Sequence, residues 1–249
     1  MRVALGTLIV IEASSHCAET AGTAVNDAFA TVANLHALLH PWAADSELAR
    51  INRNPPGTAL PLTPITFDLL RLASELHTLT GGVFDPCLPH RPGRLQDVEL
   101  LAGHRVIAHA PVAMDFGGFA KGYAADAAID TLLSHGCRAG LVNAGGDLRA
   151  FGPEPCPVLL RGPDGLFDRL QLTDSALAVS DADSSRHPSE HQGYYNRASP
   201  DERPQQRYAA VVAPTAVLAD ALAKCLMLCP EPTAARVLRA FGATRPSLL

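Results

Sequence analysis

Positions at period two open the chain: Val3, Leu5, Thr7, Ile9 and Ile11 alternate around Gly6, which predicts a first β-strand. A continuous apolar leader would not alternate, so these residues are expected to be structural and the chain cytoplasmic. From residue 17 the period changes. Ala21, Val25, Ala28, Val32, Leu35 and Leu39 fall at helical spacing over residues 17–40, and Pro41 stops the run. Phe67, Leu70, Ala73 and Leu76 predict a second helix from Pro64 to Leu79, stopped by Gly81-Gly82. A third is expected from Ala120 to His135, before Gly136, and a fourth from Val217 to Met227. Short β-prone runs bounded by Gly, Pro or Asp lie between them: Ala113–Phe116, Ala139–Asn143, Pro157–Arg161, Arg169–Leu172, Ala176–Ser180 and Tyr208–Val212. The mixture has no regular βαβ rhythm, which favours an α+β fold with a mostly antiparallel sheet. Residues 181–207 are polar, contain prolines and lack aliphatic anchors, so a long mobile loop near a site mouth is expected.

Composition narrows the function classes. With 249 residues and 47% hydrophobic content, the chain can bury a substantial core. It carries no 20–50-residue repeat and no linker, so a single domain over residues 1–249 is expected. A net charge of −5 lacks the basic surplus that phosphate contacts along a nucleic acid require, which argues against such a partner. No apolar run approaches the roughly 18 residues of a membrane span. The six cysteines form no CxxC pair and read as free thiols in a reducing compartment. Cys225 and Cys229 would share a helix face, a spacing open to a soft metal, but no matching ligands stand near them in sequence.

Candidate chemistry concentrates in MDFGGFAKGYAADAAIDTLLSHG, residues 114–136, and LVNAGGDLRAFG, residues 141–152. Asp115 would end a strand, Gly117 and Gly118 would let backbone approach a ligand, and the following helix start would suit an anion. Lys121 adds a cation there. Asn143 to Asp147 supply a second glycine turn. Neither string matches a Walker loop or a Rossmann fingerprint.

Together these strings resemble the signature of the ApbE family, the FAD:protein FMN transferases. Leu5-Gly6-Thr7, Trp42 to Asn52 (WAADSELARIN), Gly82 to Pro86 (GVFDP) and Val212 to Leu222 (VAPTAVLADAL) resemble other family segments in the same order, so the likeness spans nearly the whole chain. The resemblance implies a T-fold-like ApbE architecture and cleavage of the FAD pyrophosphate, with FMN transferred to a Thr or Ser of a target flavoprotein. By position, flavin contacts would come from Leu5, Trp42, Val83, Phe84, Asp85, Asp115 and Lys121. Magnesium ligands would be the Gly118 carbonyl, Asp220 and a hydroxyl four residues later. Here the chain departs from the pattern, because Lys224 stands where that Thr belongs. On a helix Lys224 would face Asp220, and an ammonium cannot ligate Mg²⁺. The family's His-x-hydrophobic-x-Asp-Pro-x-Thr-Gly string is also missing, leaving His191, or less favourably His187, in its place. Catalytic candidates are therefore Asp220, His191 and Lys224. Two outcomes are open: an active transferase, or a weakened relative that binds FAD or another nucleotide as carrier, sensor or accessory subunit. FAD hydrolysis by a pyrophosphatase is a variant of the first.

Overall fold

The computed structural model describes residues 1–162, 165–182 and 204–246. Most of the expected 181–207 loop, with His187 and His191, lies outside the described residues.

The first strand is in fact a hairpin. Leu5 and Gly6 adopt positive φ (52° and 70°) and reverse the chain between β1 (Arg2–Ala4) and β2 (Thr7–Ser14). The period-two pattern ran through both arms because alternation does not register a two-residue turn. This hairpin begins a six-stranded sheet ordered β1-β2-β6-β7-β10-β11, in which every pairing is antiparallel. The other members are β6 (Ala139–Ala144), β7 (Asp147–Phe151), β10 (Ala176–Asp181) and β11 (Tyr208–Ala213). Three helices pack against one face: α1 (Ala18–Leu39), α4 (Ala120–Ser134) and α5 (Ala216–Leu228). Alternation along the strands sorts the two faces. Ala176, Ala178, Ala209, Val211 and Ala213 join the helix-side core, whereas Leu177, Val179, Ala210 and Val212 face the hairpin of β8 (Cys156–Gly162) and β9 (Gly165–Leu172). The architecture is thus the expected α+β fold.

The remaining elements frame one end: α2 (Glu47–Arg53), α3 (Pro64–Leu79), α6 (Glu231–Ala240) and a small sheet of β3 (Leu60–Pro61), β5 (Arg105–Ala108) and β4 (Val98–Leu101). α1 begins where the Cys17 side chain accepts from Thr20 N–H, and its apolar stripe buries Ala24, Ala28, Phe29, Val32, Leu35 and Leu39. Each fully buried Leu or Val on such a stripe stabilises the fold by about 2 kcal/mol. α4 and α5 approach unusually closely. A Cβ built on Gly122 would meet the Ala216 carbonyl oxygen at 2.2 Å, so only glycine fits there. Neighbouring Ala120, Ala124, Ala219 and Ala223 keep the rest of that contact thin.

The expected strand at Ala113–Phe116 does not form. Only Met114 makes an isolated bridge, to Cys87. The Asn52 side chain occupies the place of a neighbouring strand: its amide donates to the Met114 carbonyl at 2.9 Å and accepts from Met114 N–H at 2.6 Å. A side chain has therefore satisfied backbone groups that a sheet would otherwise pair.

Candidate functional site

A cavity of about 240 Å³ opens where the β1–β2 turn, the end of α1 and the start of α4 converge. Its walls include Leu5, Gly6, His36, His40, Trp42, Asp115, Gly117 and Lys121. Four of the seven expected flavin contacts, Leu5, Trp42, Asp115 and Lys121, thus meet at one opening. Asp115 accepts from Gly117 N–H at 2.7 Å, which folds the Gly117-Gly118 segment ahead of α4. Trp42 is 62% exposed at the rim. Its backbone N–H donates to His40 Nδ1 at 3.2 Å, and Ala43 N–H donates to the same atom at 3.1 Å. Two backbone N–H groups thus converge on Nδ1 and fix the His40 ring at the rim. His36 stacks on His40 with ring centroids 5.4 Å apart.

The other three expected contacts lie elsewhere. Phe84 is buried, tilted against Phe119 with centroids 5.8 Å apart, and Val83 packs at the core edge. Thr80 Oγ1 accepts from Phe84 N–H at 3.0 Å and fixes that turn. Asp85 is consumed by backbone, accepting from Cys87 N–H at 2.9 Å and from Leu95 N–H at 3.3 Å. Its role in this structure is to hold the loop that supports residues 113–115, since Leu88 N–H donates to Ala113 O and Asp115 N–H to Pro86 O.

Behind Lys121 lies a buried charge cluster. Its ammonium is 3.0 Å from Asp147 Oδ2 and 3.7 Å from Asp220 Oδ2. Lys224, one helical turn after Asp220, pairs with Asp220 Oδ1. The Asp220 side chain is fully buried, and its Oδ2 also accepts from Gly122 N–H at 3.1 Å. Asp220 therefore does the work of an N-terminal cap for α4 from the neighbouring helix. The favour is returned: Asp126 on α4 accepts from Ala216 and Val217 N–H at the start of α5, both at 2.8 Å. Burial pushes the Asp126 carboxyl up to about 6, against the lowering effect of those two bonds and of Arg149. Burial and the nearby Asp220 charge also push Asp147 upward, while Lys121 and Lys224 oppose them. Lys121 and Asp147 meet at that separation where the carboxylate is almost wholly buried. The contact is best described as an ion pair.

Magnesium fits this arrangement poorly. Oxygen at Gly118, Asp220 and position 224 would be required, but position 224 supplies an ammonium that already holds Asp220 Oδ1. Among the described residues no group of three or more His, Cys, Asp and Glu side chains is placed to hold a metal. Cys225 and Cys229 are both buried and share a hydrogen bond that holds the Cys225 thiol well above its usual range. His191 lies outside the described residues.

Sequence reasoning gave no role to Asp147, Asp126, His36 or His40. Asp147 closes the N-A-G-G-D string and could have been found there; the His36–His40 spacing of four on a helix was the other available signal.

Among functionally curated proteins none matches the sequence. Solved structures do match, at sequence identities that speak to fold alone. The apo form of the Pseudomonas stutzeri flavinyl transferase ApbE superposes with a TM-score of 0.82 at 21% identity, covering 97% of this chain and 88% of that one. The ApbE protein of Thermotoga maritima gives 0.81 at 22% identity, with 97% and 89% covered. A variant of the flavin transferase ApbE from Vibrio cholerae gives 0.84 at 18% identity, with 97% and 90% covered. The sequence model of the ApbE family matches residues 5–91 and 88–245, nearly the entire length, and on that ground the chain belongs to the ApbE family.

Proposed function

We propose that this chain is an FAD:protein FMN transferase acting as a single domain in the cytoplasm. The observation that carries the reading is the continuity of the cavity with the charge cluster: Lys121 lines the first and anchors the second. The flat flavin or adenine ring would rest against Trp42 and the histidine pair, and the pyrophosphate would lie toward Lys121 and the α4 N-terminus. In the reaction, the hydroxyl oxygen of an acceptor Thr or Ser attacks the phosphorus on the FMN side. The bond from that phosphorus to the bridging oxygen breaks, AMP leaves with that oxygen, and the hydroxyl proton passes to solvent or a base. Lys121 stabilises the negative charge that builds on the phosphoryl oxygens. Among the described residues no helix is long and apolar enough to cross a membrane.

A second reading is favoured by one specific observation, the ammonium at position 224 in place of a hydroxyl. On this reading the chain binds FAD or a related nucleotide as a carrier, sensor or accessory subunit, or cleaves it with water as acceptor. Incubation with FAD and a candidate flavoprotein separates the readings. Equal release of AMP and gain of an FMN mass on the acceptor supports transfer, AMP with free FMN supports hydrolysis, and retained intact FAD supports binding alone.

A further inference from the structure

We infer that Lys224 is a fixed internal cation standing in the place of a divalent metal, so that this chain handles a nucleotide pyrophosphate without one. The inference rests on the flavin reading above for its ligand, but its physical argument concerns the chain's own side chains.

Both oxygens of Asp220 are already engaged by groups of this chain. Oδ1 is held by Lys224, while Oδ2 accepts from Gly122 N–H at 3.1 Å and has Lys121 at 3.7 Å. The carboxylate is fully buried beside Gly122, where α4 and α5 pack tightly, so turning it outward would break its bond to that N–H. The lysine is equally confined. Its side chain is only 12% exposed, and swinging the ammonium to solvent would leave the buried Asp220 charge with only the more distant Lys121 and the Gly122 N–H. Magnesium demands near-octahedral oxygen at about 2.0–2.1 Å, and a protonated amine has no lone pair to give. An incoming dication would also meet two ammonium groups, Lys121 and Lys224, already compensated by Asp147 and Asp220.

The formal charges of the four side chains therefore cancel without any metal: two lysines against two aspartates. Of the four, Lys121 is the one that also reaches the cavity wall, so it is the group that meets a ligand anion. Lys224 shares the Asp220 charge and so lessens the hold of that carboxylate on Lys121. An ammonium supplies charge without coordination geometry, which predicts anion binding that weakens with salt but is indifferent to divalent ions.

Mn²⁺ serves as the probe for a Mg²⁺ site, with free Mn²⁺ followed by electron paramagnetic resonance in the intact chain, with and without FAD. The native protein is expected to leave the Mn²⁺ signal unchanged. Lys224→Thr should acquire one site at least about tenfold tighter than any in the native chain, and Asp220→Asn in that background should remove it. Lys224→Gln, which also presents an oxygen, provides the same reading if the threonine variant fails to fold. FAD retention measured in parallel should differ by less than roughly twofold between EDTA and Mg²⁺ for the native chain. One Mn²⁺ bound per native chain and lost on Asp220→Asn would overturn the inference. So would failure of both folded oxygen-bearing variants to gain a site, or strong Mg²⁺ enhancement of native FAD binding. If no FAD is retained under any condition, the flavin reading fails, while the Mn²⁺ measurement still decides the role of Lys224.

Discussion

At the α4–α5 junction, Asp220, Lys121 and Asp126 each meet at least two partners and lie mostly or wholly inside the protein. At the cavity rim, Trp42 is largely exposed and its backbone is held through His40, itself only half-buried. One region is over-determined and the other is open. On the proposed function the difference separates two tasks: the junction holds charges at fixed positions, whereas the rim keeps apolar and aromatic surface available to a ligand. Substitutions at the junction should therefore damage folding and binding together, and substitutions at the rim binding alone.

Asp220→Ala is expected to have the largest effect. It removes the counter-charge of Lys224, one partner of Lys121 and the acceptor for Gly122 N–H, and should lower the unfolding free energy by about 3–5 kcal/mol in urea denaturation. A loss below about 1 kcal/mol would show that the junction is not over-determined.

Asp126 sharpens the comparison through pH. Its native carboxyl titrates near 6, above the ordinary value of 3.8, so between those values the folded chain holds a proton that the unfolded chain has released. Its contribution is thus fully present below about pH 4 and is lost as pH rises to about 6, by up to roughly 3 kcal/mol. Asp126→Asn should flatten this part of the stability profile; an unchanged slope would place the titration elsewhere.

Gly122→Ala should cost about 2 kcal/mol, because its Cβ cannot share space with the Ala216 carbonyl and the helices must part. At the rim the expectation reverses. Trp42→Ala should change stability by no more than about 0.5 kcal/mol while weakening FAD binding about tenfold, as measured by equilibrium dialysis. A large stability loss there would make Trp42 a packing residue and dissolve the contrast.

The long helices and the antiparallel sheet were legible because their apolar periods are strong and their ends are marked by Pro41, Gly81-Gly82 and Gly136. α6 was not expected from the sequence: it is only ten residues long, with proline in its first turn, where that residue is well suited, and Ala234, Val237 and Leu238 form its buried face. α2 is only seven residues long, too short for a period, and it appeared in the sequence as a motif rather than as a helix. Ala113–Phe116 looked like a strand because its composition is apolar, while its pairing with the Asn52 side chain left no trace in local pattern. The Lys224–Asp220 contact was legible, since a spacing of four on a helix fixes neighbours by geometry alone. Contacts between helices were not: Asp220 with Gly122 and Asp126 with Ala216 depend on how closely α4 and α5 pack. Asp85 shows a similar limit: its motif was recognisable, but the backbone N–H groups of Cys87 and Leu95 that it accepts from were not legible in local pattern.

The central claim is that cavity and charge cluster form one flavin-nucleotide site, and the single tryptophan offers a direct measurement of it. Quenching of Trp42 fluorescence should be titrated with FAD and with riboflavin, which lacks phosphate, in the native chain and in Lys121→Met confirmed as folded by circular dichroism. The account predicts quenching by FAD in the native chain, FAD affinity at least about tenfold weaker in the variant, and riboflavin affinity within roughly twofold in both. Equal FAD affinity in the two proteins, or no FAD quenching in the native one, would contradict it.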